Sequence, residues 1–360
     1  MTDNNVRLVV GGREFGGWKA VNIQAGIERL ARSFELAVTG KWPGQVDVAR
    51  RVQQGDLCEL FIGADQVLAG FVDATPVDYD ANSWNVGVRG RSRTADLVDC
   101  SAINSPGQWR GLRLEDIAAA LAKPFGVTVR AEIDTGAVIA DHQIDQGETV
   151  FESIDRMMRL RQVLASDDAT GALVILTPGS AGRATTALEL GVNVLKCSAA
   201  QDYADVYSEY VCKGQRAGDD GDFGESTTEL QATALQSGLS RRRVLVIKQS
   251  GQADLGTCQD RVDYERGHRL GKAQEATYTV QGWRQADGSL WVPNQVVRVR
   301  DAMAGIDADR LVIEVAYQLS DAGQICVMKV GPIDGYLTKA AKVAKAKKAG
   351  GSAANWVDVK

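Results

Sequence analysis

Apolar side chains recur at every second position through the first hundred residues of this chain. Phe34, Leu36 and Val38 keep that spacing, so a strand is expected through Ser33–Val38. The stretch from Gly26 to Ala37 also carries a spacing that a helix could use, but the alternation favours the strand. Leu57–Ile62 is a second strand candidate, bounded by Gly55-Asp56 and Gly63-Ala64-Asp65, and Val67–Val72 is a third. Asp80-Ala81-Asn82-Ser83 reads as a turn. After it, Trp84, Val86 and Val88 alternate with Asn85, Gly87 and Arg89, the period of a half-buried strand. Short strands separated by turn residues predict a barrel or a sandwich.

The period changes after residue 100. Leu114, Ile117, Ala118 and Leu121 recur at helical spacing until Pro124 stops the pattern. Val127 and Val129 suggest a short strand. Thr149-Val150-Phe151-Glu152 matches a capping box, in which the hydroxyl and the carboxylate satisfy two orphan backbone N–H groups. Phe151, Ile154, Met158 and Arg161 then lie along one helix face. A hairpin is expected from Val163–Ser166 and Ala172–Thr177 around a turn at 167–171, with Pro178–Gly182 as the next boundary. These features predict a small α+β domain.

Strand periodicity returns after residue 186. Val206–Lys213 reads as a strand, 214–225 as a polar Gly-rich loop, and Asp254–Glu275 as a charged helix. Tyr278–Trp283 reads as a strand. Leu311, Ile313, Val315, Tyr317 and Leu319 alternate with their neighbours, and the turn 321–324 leads into Ile325–Val330 to complete a hairpin. Val86–Arg91 and Tyr278–Trp283 share a loose cadence that hints at internal duplication.

Composition narrows the function. A chain of 360 residues suggests two or three domains at roughly 150 residues each. It is long enough to bury about three quarters of its unfolded surface without a disulfide or metal. No apolar run approaches the ~20 residues of a membrane span, and the first residues do not read as a signal peptide, so folding in a cytoplasm is expected. The six cysteines include no Cys-x-x-Cys pair, and there are only two histidines, His142 and His268. Buried free thiols are therefore expected, with no metal and no cofactor. Residues 331–360 hold six lysines against two aspartates, a charge of +4, which leaves −9 on the body out of a total of −5. An acidic body argues against specific nucleic-acid binding. The lysines of Thr338–Gly350 lie among alanines with no apolar stripe, which reads as either a solvated terminus or an arm that orders on a partner.

Few constellations carry chemistry. Arg89, Arg91 and Arg93 fall at period two, with Asp96 and Asp99 just beyond. They read as an anion or partner site, or as a solvated edge with local ion pairs. Asp167-Asp168 reads as turn chemistry. Asp219–Asp222 falls in the Gly-rich loop and lacks the pattern of a calcium-binding loop. There is no phosphate-binding Gly-rich motif and no nucleophile elbow. The most distinctive segment, Thr279–Asn294, contains Gly282, Trp283, an Asp287-Gly288 turn, Trp291, Pro293 and Asn294. It reads as strand, turn, strand, with the two tryptophans near cross-strand neighbours, and it holds no nucleophile or good metal ligand. It suits packing or docking, not catalysis.

Three blocks in order carry a family resemblance: Gly90–Ser101, then Gly191–Leu195 with Ser208–Gln215, then Gly282–Asn294. Pro124-Phe125-Gly126 and Gly147–Phe151 add to it. Over residues 6 to 333 the chain resembles the baseplate central hub proteins of Mu-like contractile-tailed bacteriophages. It is also similar to the hub part of type VI secretion spike proteins, without their fused β-helical spike.

The resemblance implies an α+β fold, mainly β, with two β-barrel-like domains at 1–100 and 183–333 flanking the α+β domain at 101–182. A helical insertion near 254–275 interrupts the second barrel, and a flexible basic tail follows at 334–360. It further implies a non-enzymatic homotrimer in the virion tail baseplate, assembled in the bacterial host cytoplasm. Six barrels in a ring would adapt the sixfold tail tube to the threefold central spike during tail assembly and host penetration. The implied partners are the chain itself, the tail spike protein, and the tube or adjacent baseplate proteins. Arg89, Arg91, Arg93, Asp96, Asp99, Gly282, Trp283, Trp291, Pro293 and Asn294 are the candidate structural or interface residues. The alternatives are a baseplate-associated cell-wall hydrolase and the hub of a phage-derived contractile injection system.

Overall fold

A computed structural model describes residues 3–39, 52–79, 84–161, 163–214, 230–248 and 255–336. The turn expected at Asp80–Ser83, nearly all of the Gly-rich loop and the lysine-rich tail lie outside them. The chain is mainly β and divides into two compact units. One comprises residues 1–197 and 277–330, the other residues 198–276 and 331–360.

The first unit opens with β1 (Val6–Val10) and β2 (Arg13–Phe15), joined through Gly11 and Gly12 at φ 56° and 75°. A side chain at either glycine would meet the cost of left-handed backbone. Next come β3 (Ala20–Gly26), β4 (Ser33–Thr39), β5 (Leu57–Ile62), β6 (Asp65–Ala74), β7 (Val77–Tyr79) and β8 (Trp84–Ser92). The strand expected through Ser33–Val38 is thus present, and the helical option for that stretch is not. Leu8, Ile23, Leu36, Leu60 and Leu68 are all but inaccessible to solvent, as period-two burial requires.

The α+β segment follows. It contains α1 (Ala95–Asp99), β9 (Gln108–Trp109), α2 (Leu114–Ala122), β10 (Val129–Ala131), β11 (His142–Gln143), α3 (Val150–Arg161), β12 (Leu164–Asp167) and β13 (Leu173–Leu176). The capping box forms as expected: Thr149 N–H donates to Glu152 Oε2 at 2.7 Å, and Glu152 N–H to Thr149 Oγ1 at 3.1 Å. The helical stripes meet in one core. Leu114, Ile117, Ala118 and Leu121 pack with Val150, Ile154, Met157 and Met158 against Leu173 and Ile175. Helix α1 escaped the periodicity because five residues are too few to repeat a stripe.

The remaining strands are β14 (Leu188–Glu189), β15 (Val194–Ala199), β16 (Glu209–Gly214), β17 (Leu230–Leu235) and β18 (Val244–Lys248). After α4 (Leu255–Lys272) come β19 (Ala276–Gln281), β20 (Val296–Asp301), β21 (Ile306–Ser320) and β22 (Gly323–Gly331). In the second unit, Tyr210, Cys212, Ala232 and Ala234 of the β17-β16-β18 sheet cluster with Cys258 and Val262 of α4. The strand expected from Val206 starts three residues later; Val206 itself is buried in the preceding turn. A Cβ on Gly271 would lie 2.6 Å from the Gly335 Cα, so this helix contact requires glycine.

The main sheet runs β15-β19-β22-β21-β3-β4-β8-β6-β5-β1-β2. Within it, β21 and β3 meet in an antiparallel junction, with Val315 opposite Ala25 and Tyr317 opposite Ile23. Strands from both sides of the α+β segment therefore share one sheet. Counting outward, the order is β3, β4, β8, β6 on one side and β21, β22, β19, β15 on the other. The two stretches of similar cadence start in β8 and β19, each third from the junction. Among the described residues the path is open, ending at β15 and β2, so strand pairing closes no barrel.

Candidate functional site

The Gly282–Asn294 segment is a packed corner. The expected strand, turn, strand is not formed beyond Gln281, where β19 ends; within the segment a single isolated bridge joins Arg284 and Leu290. The two tryptophans nevertheless oppose each other, and Trp291 N–H donates to the Trp283 carbonyl at 3.1 Å. Both rings are buried. The Trp283 indole N–H is shared between the carbonyls of Gln318 at 3.1 Å and Ile325 at 3.0 Å, across the β21–β22 turn. Trp283 also meets Tyr317 edge to face, with centroids 6.2 Å apart, and the Tyr317 hydroxyl donates to the Trp291 carbonyl. Gly282 enters the corner at φ 75°, its N–H on the Gln324 carbonyl. Pro293 is half-buried.

Asn294 sits at φ 67°, where an L-residue is uncommon and Asn is among the most tolerant. Its amide donates to the Thr177 carbonyl and Ser180 Oγ, both at 2.9 Å, and its Oδ1 accepts from Gly179 N–H at 2.7 Å. One residue thus satisfies the turn that leaves the α+β segment. Sequence reasoning missed its neighbour Arg284. That guanidinium donates to Asn4 Oδ1 and Asp65 Oδ2, both at 2.7 Å, and to the carbonyls of Gly288, Ile62 and Asp3. The only available signal was an arginine between two tryptophans.

The arginine file divides. Arg89 pairs with Glu35 at 2.6 Å, and Arg91 reaches Asp99 and Asp73, both at 2.7 Å. The hydrogen bonds that Arg91 donates to Asp99 and Asp73 hold its proton more firmly, and Arg91 pulls the Asp99 carboxyl below its ordinary range. Desolvation moves Asp96 the other way, upward. Arg93 lies past the end of β8 in a turn, and its Nε is buried with no hydrogen-bond partner among the described residues. The two paired arginines are partly exposed, so each pair contributes ~0–1 kcal/mol.

The polar positions between these arginines matter more. Ser92 and Thr94 point inward and are fully buried. Ser92 Oγ donates to Asp167 Oδ2, Thr94 Oγ1 donates to the Leu30 carbonyl, and Arg32 reaches Asp167 through its backbone N–H and Nε. Asp167 is therefore no turn residue. It is buried at the end of β12, and its neighbour Asp168 alone performs the turn chemistry, accepting from Thr170 and Ala172. Burial drives the Asp167 carboxyl upward, opposed by Arg32 and Ser92. β12 ends at Asp167, so Asp168 lies just beyond the strand, which separates their roles. Among the described residues, no group of three or more His, Cys, Asp or Glu could hold a metal ion. No helix among them is long and apolar enough to cross a membrane.

A corner filled by aromatic rings, a buried polar lock and paired surface charges make this a site built for packing. Its sequence matches family models for the N-terminal domain of GpP-like Mu phage baseplate assembly proteins at 5–92, the second domain of gp44-like baseplate hub proteins at 94–177, and the fourth domain of Mu phage GpP at 255–339. The baseplate hub protein gp44 of Escherichia phage Mu is 34% identical over 359 residues, covering 97% of this chain and 93% of the relative. The 43 kDa tail protein of prophage MuSo2 from Shewanella oneidensis superposes with a TM-score of 0.83 at 31% identity, over 93% of this chain and 99% of the other. A component of the E. coli type VI secretion system shares the fold, with a TM-score of 0.54 at 10% identity, over 92% and 78% of the two chains. The chain belongs to the family of Mu-like phage baseplate hub proteins. It is a structural component of the tail baseplate and not an enzyme.

Proposed function

We propose that this chain forms a homotrimeric ring that adapts the sixfold tail tube to the threefold central spike during tail assembly and host penetration. The observation that supports this reading is that strands from both sides of the α+β segment, β3, β4, β8, β6 and β21, β22, β19, β15, radiate from one antiparallel junction, with the two stretches of similar cadence each starting in the third strand from it. One chain thereby supplies two similar modules, and three chains supply six. That is how internal duplication reconciles threefold with sixfold symmetry, with heterologous contacts closing the ring.

In this reading residues 1–100 and 183–333 are the barrel-like modules, 101–182 is the α+β domain between them, and 334–360 is a basic arm. The inserted α4 interrupts the second module. Trp283, Trp291, Pro293, Asn294 and Gly282 brace the second module, and Arg89, Arg91, Arg93, Asp96 and Asp99 edge the first. The spike binds one face of the ring, and the tube or adjacent baseplate proteins bind the other. Assembly takes place in the host cytoplasm, and neither a nucleic acid nor a cofactor takes part. Light scattering across a concentration series tests the reading, and a mass near three chains is expected. A mass near 38.6 kDa at every concentration, with the spike also present, overturns it.

A further inference from the structure

We infer that the outer edge of β15 docks on β7 of a second copy of this chain; the inference rests on the trimer reading above. Among the described residues β15 ends the main sheet, with only its first residue, Val194, bridged to Leu190, and β7 pairs with β8 alone. Each strand therefore offers unpaired backbone N–H and C=O groups along one edge. Proteins ordinarily shield such edges with charge, proline or covering elements. Each of these edges carries a single charge, and large apolar side chains stand exposed beside it. Around β15, Val192 is 75% exposed and Leu195 57%; on β7, Tyr79 is 83% exposed and Val77 50%.

The two edges complement each other in charge. Lys196 lies in β15 next to Leu195, and Asp78 lies in β7 between Val77 and Tyr79. Both are exposed, and neither has an ion-pair partner among the described residues. Pairing β15 with β7 places Asp78 opposite Lys196 on one face of the joined sheet. Leu195 then meets the apolar flank of β7 on the other face, because strand side chains alternate.

A single chain cannot make this contact by itself while its sheet stays open. Six strands lie between β15 and β7 along the path, and strand pairing among the described residues does not join the two edges. The contact is also heterologous, since each copy gives one kind of edge and receives the other. Repeated around a closed ring, it leaves neither edge uncovered.

Charge reversal tests the contact. In light scattering on the full chain, Lys196→Glu is expected to weaken self-association by about tenfold or more. The double variant Asp78→Lys with Lys196→Glu should restore it, with thermal melts of all variants coinciding. Independently, the pair Asp78→Cys and Lys196→Cys should form a disulfide between chains on oxidation with copper phenanthroline, giving dimer and trimer bands without reductant. An assembled wild type that ignores Lys196→Glu, and yields only single chains from the cysteine pair, overturns the edge contact and leaves the trimer standing. A wild type that stays monomeric removes both. If Lys196→Glu instead weakens only the binding of the spike protein, β15 serves a different partner and the inference fails.

Discussion

Gly179 N–H donates to Asn294 Oδ1 at 2.7 Å, although 115 positions separate the two residues. The bond ties the exit of the α+β segment to the aromatic corner, and it depends on the left-handed backbone of Asn294. Replacing Asn294 with Gly should remove the side-chain bonds and keep the backbone, costing about 1–3 kcal/mol. Asn294→Ala should cost about 1 kcal/mol more, because alanine resists positive φ. Urea melts of the two variants check the order, and equal midpoints would contradict it.

Trp283→Ala and Trp291→Ala should each cost about 3–5 kcal/mol, since both rings are buried. Trp283→Phe keeps a ring but leaves the Gln318 and Ile325 carbonyls without their shared donor. A smaller loss is expected for it, about 1–3 kcal/mol. Denaturant midpoints decide, and unchanged midpoints in both alanine variants would dismiss the packing role.

Two salt bridges should differ sharply. Asp167 is buried among Arg32, Ser92 and Thr94, so Asp167→Ala leaves the mostly covered Arg32 without its carboxylate and Ser92 without its acceptor, and should cost about 3–5 kcal/mol. Arg91→Ala breaks two partly exposed pairs and should cost about 1 kcal/mol or less. Calorimetry on the two variants measures the contrast, and similar melting temperatures would count against it.

Asp301 predicts an acid sensitivity. It accepts from Ala304 N–H and Met303 N–H, both at 3.0 Å, and from the Tyr278 hydroxyl at 3.1 Å. These bonds, led by the one from Ala304, hold its carboxyl below the ordinary range, which is about 3.9 for Asp. The folded state therefore favours the ionised form. The stabilisation is fully present above the ordinary value and is lost as pH falls through the lower folded value. Asp301→Asn should cost about 1–2 kcal/mol at pH 7. Its deficit relative to the parent should shrink as the pH is lowered toward 2. Melts over that range check the sign, and a deficit that grows in acid would reverse it.

The sequence by itself determined the local elements and the family. Period-two burial marked β4, β5, β8 and β21, because a strand with one buried face must alternate. The stripe of α2 and the capping box of α3 were legible for the same reason: each is a rule about near neighbours. The Gly282–Asn294 segment was recognisable as packing chemistry from its residue types alone.

Tertiary structure decided what depends on distant partners. The strand pattern of β21 was visible, but not that it pairs with β3, since register is set by which apolar faces meet. Asp167 and Asp168 look alike in sequence, yet burial against Arg32 makes one a lock and exposure leaves the other a turn. Arg284 reads as an ordinary surface arginine until Asn4, Ile62 and Asp65 converge on it from the far end of the chain. Local sequence carries backbone preference and amphipathic period, whereas the desolvation that gives a polar contact its weight exists only once remote segments have come together.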